Sequence, residues 1–423
     1  MSATSSGGSL TIVQGTALYV GAVLGTGVIA LPALAAAAAG PASLLAWLAL
    51  VILSVPLAAT FAALGARYPD AGGVSTYVRK AFGMRAAAVV GWCFYFAVPA
   101  GAPAAAMFGG AYVASALGGG QSTVLMTAGA LIVVVTVANL FGVTVSGRLQ
   151  LVLAALLVAL LLTAVAASAP HARLANLHPF APHGWSAIVP AAALLVWSFA
   201  GWEAITHLAG EFRRPARDLP IAAGIAVVIV GVLYMAIATS SVMVLGTAAG
   251  TSSAPLAELL ALGLGGKVQI LAAAAALLLT LGAMNAYFAG AAKLGAALGR
   301  DGALPPWFAA GSHAGDVPRR SLGVVAGLAV LALGCVALTG VGPRPLVLLT
   351  TGSFVTVYAL GTAAALRLLP RGSWAHRCAC FALFAVVGLC AATGWYLFWP
   401  LIMTACALMY LRRRSTVLAD SGA

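Results

Sequence analysis

The residues best suited to chemistry lie in one apolar stretch, Trp197-Ser198-Phe199-Ala200-Gly201-Trp202-Glu203-Ala204-Ile205-Thr206-His207-Leu208. Glu203 places a carboxylate near the middle of a run long enough to span a bilayer. A charged side chain at that depth is costly and usually faces a cavity where it acts. Gly201 beside it lets a helix open and frees backbone groups. A second stretch of this kind, Gly25-Thr26-Gly27, interrupts the first apolar run.

The two interruptions offer complementary groups. Where the first run unwinds, the N–H groups of Thr26, Gly27 and Val28 lack helical partners and form a positive dipole end suited to a carboxylate. Where the second unwinds, the carbonyls of Ser198, Phe199 and Ala200 end a half-helix and suit an ammonium group. A ligand carrying both groups is an α-amino acid. The competing reading is that glycines such as Gly15, Gly21 and Gly25 only let helices pack closely. Two breaks paired around a carboxylate favour the binding reading.

Glu203, His207 and Glu211 follow a spacing of i, i+4, i+8, which puts them on one face of an α-helix. That face suits a proton carrier or relay, with Glu203 and His207 as coupling or gating residues. Alternatively, Glu203 is a fixed hydrogen-bond anchor for the unwound segments, and Glu211 pairs with Arg213 or Arg214. No second carboxylate and no Lys or Arg falls in the core spans, so the expected substrate side chain is neutral and apolar. Candidate walls are Trp202, Phe199, Trp197, Trp92, Tyr95, Met107 and Phe354. Thr350, Ser353 and Val357 share a face of a later span beside Gly352, and Asn285 and Tyr287 are the polar candidates of another. Asn285 either reaches the pocket or links helices.

Composition identifies the solvent around these elements. The 423 residues are 63% hydrophobic and 7% charged, with a mean hydropathy of +1.07. A soluble domain carries roughly a quarter charged residues. This chain cannot cover itself with polar groups, so its solvent is lipid. The net charge of +13 does not indicate a nucleic-acid partner, because the basic residues are scattered between apolar spans. The six cysteines show no metal-ligand spacing. Nor do His171, His178 and His183, in one polar segment, come with a carboxylate to complete a metal site. No phosphate-binding glycine loop and no nucleophile–base arrangement is present, so neither an enzyme nor a cofactor is expected. Met1 to Leu10 lacks the basic start of a signal peptide, so the first span is expected to be retained.

Apolar runs fall at 11–38, 42–64, 86–116, 123–142, 149–168, 187–210, 220–246, 267–292, 322–340, 345–366, 378–393 and 395–411. The first is expected to break at Gly25–Gly27 and again near Pro32. With both termini cytoplasmic, all of the 21 Lys and Arg residues except Arg173, Lys267 and Arg344 lie on the inner side, as the positive-inside rule requires. Segment 65–85 is expected to be an inner connection, partly helical, with a turn at Pro69-Asp70-Ala71-Gly72-Gly73. The broken spans are the first of two five-span halves. Five is odd, so the halves are inverted relative to each other, and paired breaks in such a repeat mark a transport site near the midplane.

Three motifs carry a family resemblance: Gly25-Thr26-Gly27-Val28-Ile29-Ala30-Leu31-Pro32, Phe199-Ala200-Gly201-Trp202-Glu203, and Gly299-Arg300-Asp301-Gly302-Ala303-Leu304-Pro305. Together with span count and break positions, they resemble the amino acid–polyamine–organocation (APC) permeases over nearly the whole chain. Within that family, Gly201-Trp202-Glu203-Ala204 followed by His207-Leu208 and Glu211-Phe212 is similar to bacterial exporters of methionine and branched-chain amino acids. The resemblance implies a LeuT-like fold in which spans one, two, six and seven rock against the rest and substrate binds at the two breaks. Some relatives carry a lysine on span five; 149–168 has none, and that proton-coupling device is not carried over.

The sequence thus predicts an all-α integral protein of the cell membrane with twelve transmembrane helices, read as one transporter domain over 1–423. It comprises repeats at 11–168 and 187–366, accessory helices at 378–411, and cytoplasmic tails at 1–10 and 412–423. The expected function is secondary transport of methionine, leucine, isoleucine or valine, more in the sense of efflux, with a proton as coupling ion. Gly25, Gly27 and Gly201 are the expected hinges. A proton-coupled importer or exchanger is the alternative within the class; a channel or receptor without coupled transport lies outside it. Preferred substrate, the direction of transport in the cell, the choice among proton, sodium and exchange for coupling, and oligomeric state stay open.

Overall fold

The computed structural model describes residues 10–69, 72–142, 147–265, 268–312 and 316–420. Among them no β-strand forms; an isolated bridge pairs Leu10 with Phe212. In lipid every backbone N–H and C=O must be satisfied within its own segment, which uninterrupted apolar runs achieve as helices. Nine helical stretches among the described residues are long and apolar enough to cross a membrane.

The first span divides into α1 (Ile12–Leu24) and α2 (Gly27–Ala39), followed by α3 (Ser43–Arg67) and α4 (Val74–Phe82). The start of α1 is a capping box: Thr11 Oγ1 accepts from Gln14 N at 3.3 Å and Gln14 Oε1 accepts from Thr11 N at 3.0 Å. Pro32 sits inside α2 without breaking it, so the expected second interruption does not occur. A proline forfeits one ladder bond, which surrounding helices can tolerate. Helix α4 supplies the helical part expected in segment 65–85; Asp70 and Ala71 of its turn lie outside the described residues.

The scaffold continues with α5 (Met84–Leu117), α6 (Gln121–Leu140), α7 (Gly147–Ser168), α8 (Ile188–Leu195), α9 (Pro215–Leu245) and α10 (Pro255–Leu264). It ends with α11 (Gln269–Arg300), α12 (Arg319–Thr339), α13 (Arg344–Leu368), α14 (Trp374–Thr393) and α15 (Phe398–Asp420). Helix α11 runs about two turns past the 292 expected from hydropathy, because Ala291–Gly299 continue a buried small-residue face on the polar side of Lys293. One core packs α1, α2, α3, α8 and α9; a second packs α5 with α6, α11 and α12. The site lies where these meet.

Candidate binding site at two helix breaks

Glycine builds both breaks. Gly25 (φ +23°) and Thr26 separate α1 from α2. Beyond α8, a 3₁₀ turn over Val196–Phe199 leads to extended Ala200 and then to Gly201 at φ +129°. Only glycine reaches such a φ at little cost. Helical structure resumes as 3₁₀ over Ala204–Glu211.

The two breaks touch. A Cβ added to Gly27 would lie 2.8 Å from Ser198 Cα, and one on Gly201 would lie 3.0 Å from the Ala22 carbonyl. The hydroxyl of Tyr234 on α9 lies 2.7 Å from Val23 O and 2.6 Å from Ser198 O, so one buried donor serves a carbonyl from each broken span. Trp197 Nε1 donates to Thr26 Oγ1 at 3.4 Å, a further link across the gap.

Between the breaks and α5 lies a cavity of about 60 Å³. Gly25, Thr26 and Gly27 line it from the first break, and Trp197 and Ala200 from the second. The opposite wall is Ala97, Gly101 and Ala105 of α5, with Tyr287 and Phe354 closing the sides. No charged side chain is among its lining residues. Helix α2 starts at this wall, with Gly27 as its first residue, and the first amides of a helix have no intrahelical partners.

Glu203 is fully buried just behind the cavity. Its Oε2 accepts from Gly201 N at 3.0 Å and from the Tyr358 hydroxyl at 2.5 Å, while Oε1 has no hydrogen-bond partner. Among the described residues no Lys or Arg pairs with it. A buried charge is expensive without a partner or hydrogen bonds. Here the carboxylate secures the unwound amide of Gly201 and keeps one oxygen unoccupied.

The sequence profile of the amino acid permease family matches residues 10–422. The chain belongs to that family. It is 33% identical over 406 residues to the uncharacterized amino acid permease YecA of Bacillus subtilis, covering 96% of each chain. It is 32% identical over 422 residues to the L-methionine/branched-chain amino acid exporter YjeH of Escherichia coli, covering 96% of this chain and 97% of that one. A shorter similarity, 25% over 240 residues and 52% of each chain, links it to the branched-chain amino acid permease BcaP of B. subtilis.

In this permease, the sequence-predicted residues divide into those at the cavity and those behind it. Gly25, Thr26, Gly27 and Ala200 line the cavity, as do Trp197, Tyr287, Thr350 and Phe354. Val28 is buried in the first turn of α2. Ser198 packs on Gly27, and Phe199 is wedged between Trp47 and Tyr234 at ring separations of 6.0 and 4.9 Å. Gly201 holds the break, and Trp202 is buried 6.0 Å from the Tyr19 ring, outside the cavity wall. Ser353 is buried without a hydrogen-bond partner. Asn285 Oδ1 accepts from Asn139 Nδ2 at 2.8 Å, joining α11 to α6 away from the smaller cavity. Trp92 and Tyr95 donate instead to Ala303 O and Ser321 O, and Met107 packs in the second core.

One expectation is corrected. The shared face of Glu203, His207 and Glu211 assumed an α-helix, but the segment is 3₁₀, with about three residues per turn. Residues four apart then lie on different faces. The side chains of His207 and Glu211 are outside the described residues.

Sequence reasoning missed Tyr234, Tyr358 and the small residues of α5. Two of these carried a signal. Thr350, Phe354 and Tyr358 recur every four residues, as do Ala97, Gly101 and Ala105, and each set marks one helix face. Tyr234 stands alone in an apolar run and carried none.

A larger cavity of about 330 Å³ lies beside the first. Gly21 of α1, Asn139 of α6 and Asn285 and Lys293 of α11 line it, with Asp316 before α12. Gly25 and Ala283 border both cavities.

Proposed function

We propose that this permease is a twelve-span secondary transporter of neutral apolar α-amino acids with a five-plus-five inverted repeat. It operates by alternating access and runs in the direction of efflux. The observation that carries this reading is the meeting of two helix breaks across a cavity with apolar and small-residue walls. Free amides of α2 face the substrate carboxylate, and the carbonyl end at Ser198–Ala200 faces its ammonium group. With no charge in the wall, a cationic or anionic side chain would be buried unpaired, which disfavours such substrates. The names of the relatives, a methionine and branched-chain exporter and a branched-chain permease, support the same class. Glu203 is the proposed proton carrier, and the larger cavity is the route toward the cytoplasmic side, where loop Lys and Arg residues concentrate.

The test is counterflow in proteoliposomes preloaded with methionine, leucine, lysine or glutamate. Labelled methionine should accumulate with methionine or leucine inside and not with lysine or glutamate. Ion conductance without saturable counterflow would indicate a channel instead.

A further inference from the structure

The larger cavity holds more chemistry than an access route needs. Lys293 and Asp316 are the charged side chains among its lining residues, one of each sign. Among the described residues neither has an ion-pair or hydrogen-bond partner, and they do not pair with each other. The rest of its wall is uncharged, with Gly282, Ala286 and Ala289 on α11 and Gly21 on α1 beside larger apolar residues such as Leu157 and Leu278. The Asn139–Asn285 pair adds directional polarity. Asn139 Nδ2 donates to Asn285 Oδ1 at 2.8 Å and to Val135 O at 2.9 Å. Asn139 Oδ1 and Asn285 Nδ2 are left as one acceptor and one donor. The volume, about 330 Å³, lies within the range of small-molecule sites.

We propose that this cavity is a second, loading site for a zwitterionic α-amino acid, with Lys293 taking the carboxylate and Asp316 the ammonium group. The inference rests on the amino-acid transport proposed above and assigns that substrate a stop outside the breaks. A cation alone or an anion alone satisfies only one of the two charges; a zwitterion satisfies both. Gly25 and Ala283 border both cavities, so a ligand leaving this site meets the α1–α2 break next. The Asn pair offers the waiting substrate one further donor and one further acceptor.

Equilibrium dialysis of labelled leucine against the purified full-length protein tests this. The wild type is expected to bind two leucines per chain. Lys293→Glu and Asp316→Lys should each weaken one of the two sites about tenfold or more, the loss of one charge-assisted hydrogen bond to the ligand. The exchanged double variant should restore it, which a merely structural role for either residue would not. If a charge reversal does not fold, Lys293→Gln and Asp316→Asn carry the single-variant comparison, each weakening the same one of the two sites. Leucinamide and 4-methylpentanoate, each lacking one charge, should fail to displace leucine from this site. One leucine per chain, or two that ignore all four variants, overturns the loading site and leaves the transport reading intact. No leucine bound, together with no counterflow, overturns both.

Discussion

At the scale of single residues, Glu203 and Tyr358 decide how the second break is held. Oε2 receives both the Gly201 amide and the Tyr358 hydroxyl, and Oε1 receives nothing. Glu203→Gln keeps an acceptor for both donors and so should fold and bind leucine, but it can no longer gain and lose a proton. Transport by this variant is expected to lose its dependence on pH; a wild-type pH profile would remove Glu203 from coupling. Tyr358→Phe deletes the shorter of the two bonds. A hydrogen bond to a charged group contributes about 1.5–3 kcal/mol, so the variant should show a lowered denaturation midpoint in detergent and weakened transport, while a midpoint equal to wild type would mean that the bond is idle. Glu203 was legible in the sequence because a carboxylate in an apolar span stands out. The face that carries Tyr358 was legible from its spacing behind Thr350 and Phe354, but its bond to Glu203 was not, since that partner comes from a distant helix. Trp202 misled for the reverse reason: adjacency to the break along the chain does not fix which way a side chain points.

At the scale of elements, the glycines serve contact between the breaks. Gly27 meets Ser198 and Gly201 meets Ala22, backbone against backbone, so the close-packing and ligand-cradle readings are two aspects of one geometry. A methyl group at either position must push the broken spans apart. Gly201→Ala also forces alanine into φ +129°, a strain of about 1–3 kcal/mol. Both Gly27→Ala and Gly201→Ala are expected to reduce leucine counterflow by tenfold or more. Gly224→Ala in α9, whose added Cβ meets nothing within 4 Å, should leave it unchanged. Equal activity in all three would dismiss break-to-break contact as a requirement. The break positions could be read directly from Gly25–Gly27 and Gly201, because interruptions in apolar runs are rare and glycine marks them. The 3₁₀ form of Ala204–Glu211 could not, as its residues fit an α-helical pattern equally well, and that ambiguity produced the mistaken face for His207. The unbroken path of α2 through Pro32 depends on neighbouring helices, which no local pattern reveals.

At the scale of the whole molecule, the structure is open at one end of the site and closed at the other. The larger cavity reaches the first break from the side of Lys293 and Asp316. At the far end of α2, an added Cβ on Gly250 would lie 2.9 Å from Ala37 Cα, Gly40 abuts Pro182, and His183 Nδ1 lies 3.1 Å from Ala38 O. Alternating access requires these two ends to exchange their states, so opening the far end should close the larger cavity. Gly250→Val places a branched side chain against the Ala37 backbone and thereby penalises the conformation seen here. A difference of about 1.4 kcal/mol shifts such an equilibrium tenfold. The reporter is Ala289→Cys, on the wall of the larger cavity, in a background where the six native cysteines are replaced by alanine or serine. Alone, it should react readily with a water-soluble maleimide. Combined with Gly250→Val, its labelling should slow about fivefold if the two conformations are near balance, and by less if the one shown here dominates strongly. A cysteine at Ala37 that labels as fast as Ala289→Cys while the latter is not slowed would show that the two ends do not move in opposition, and the rocking mechanism would fail even if amino acids cross the membrane.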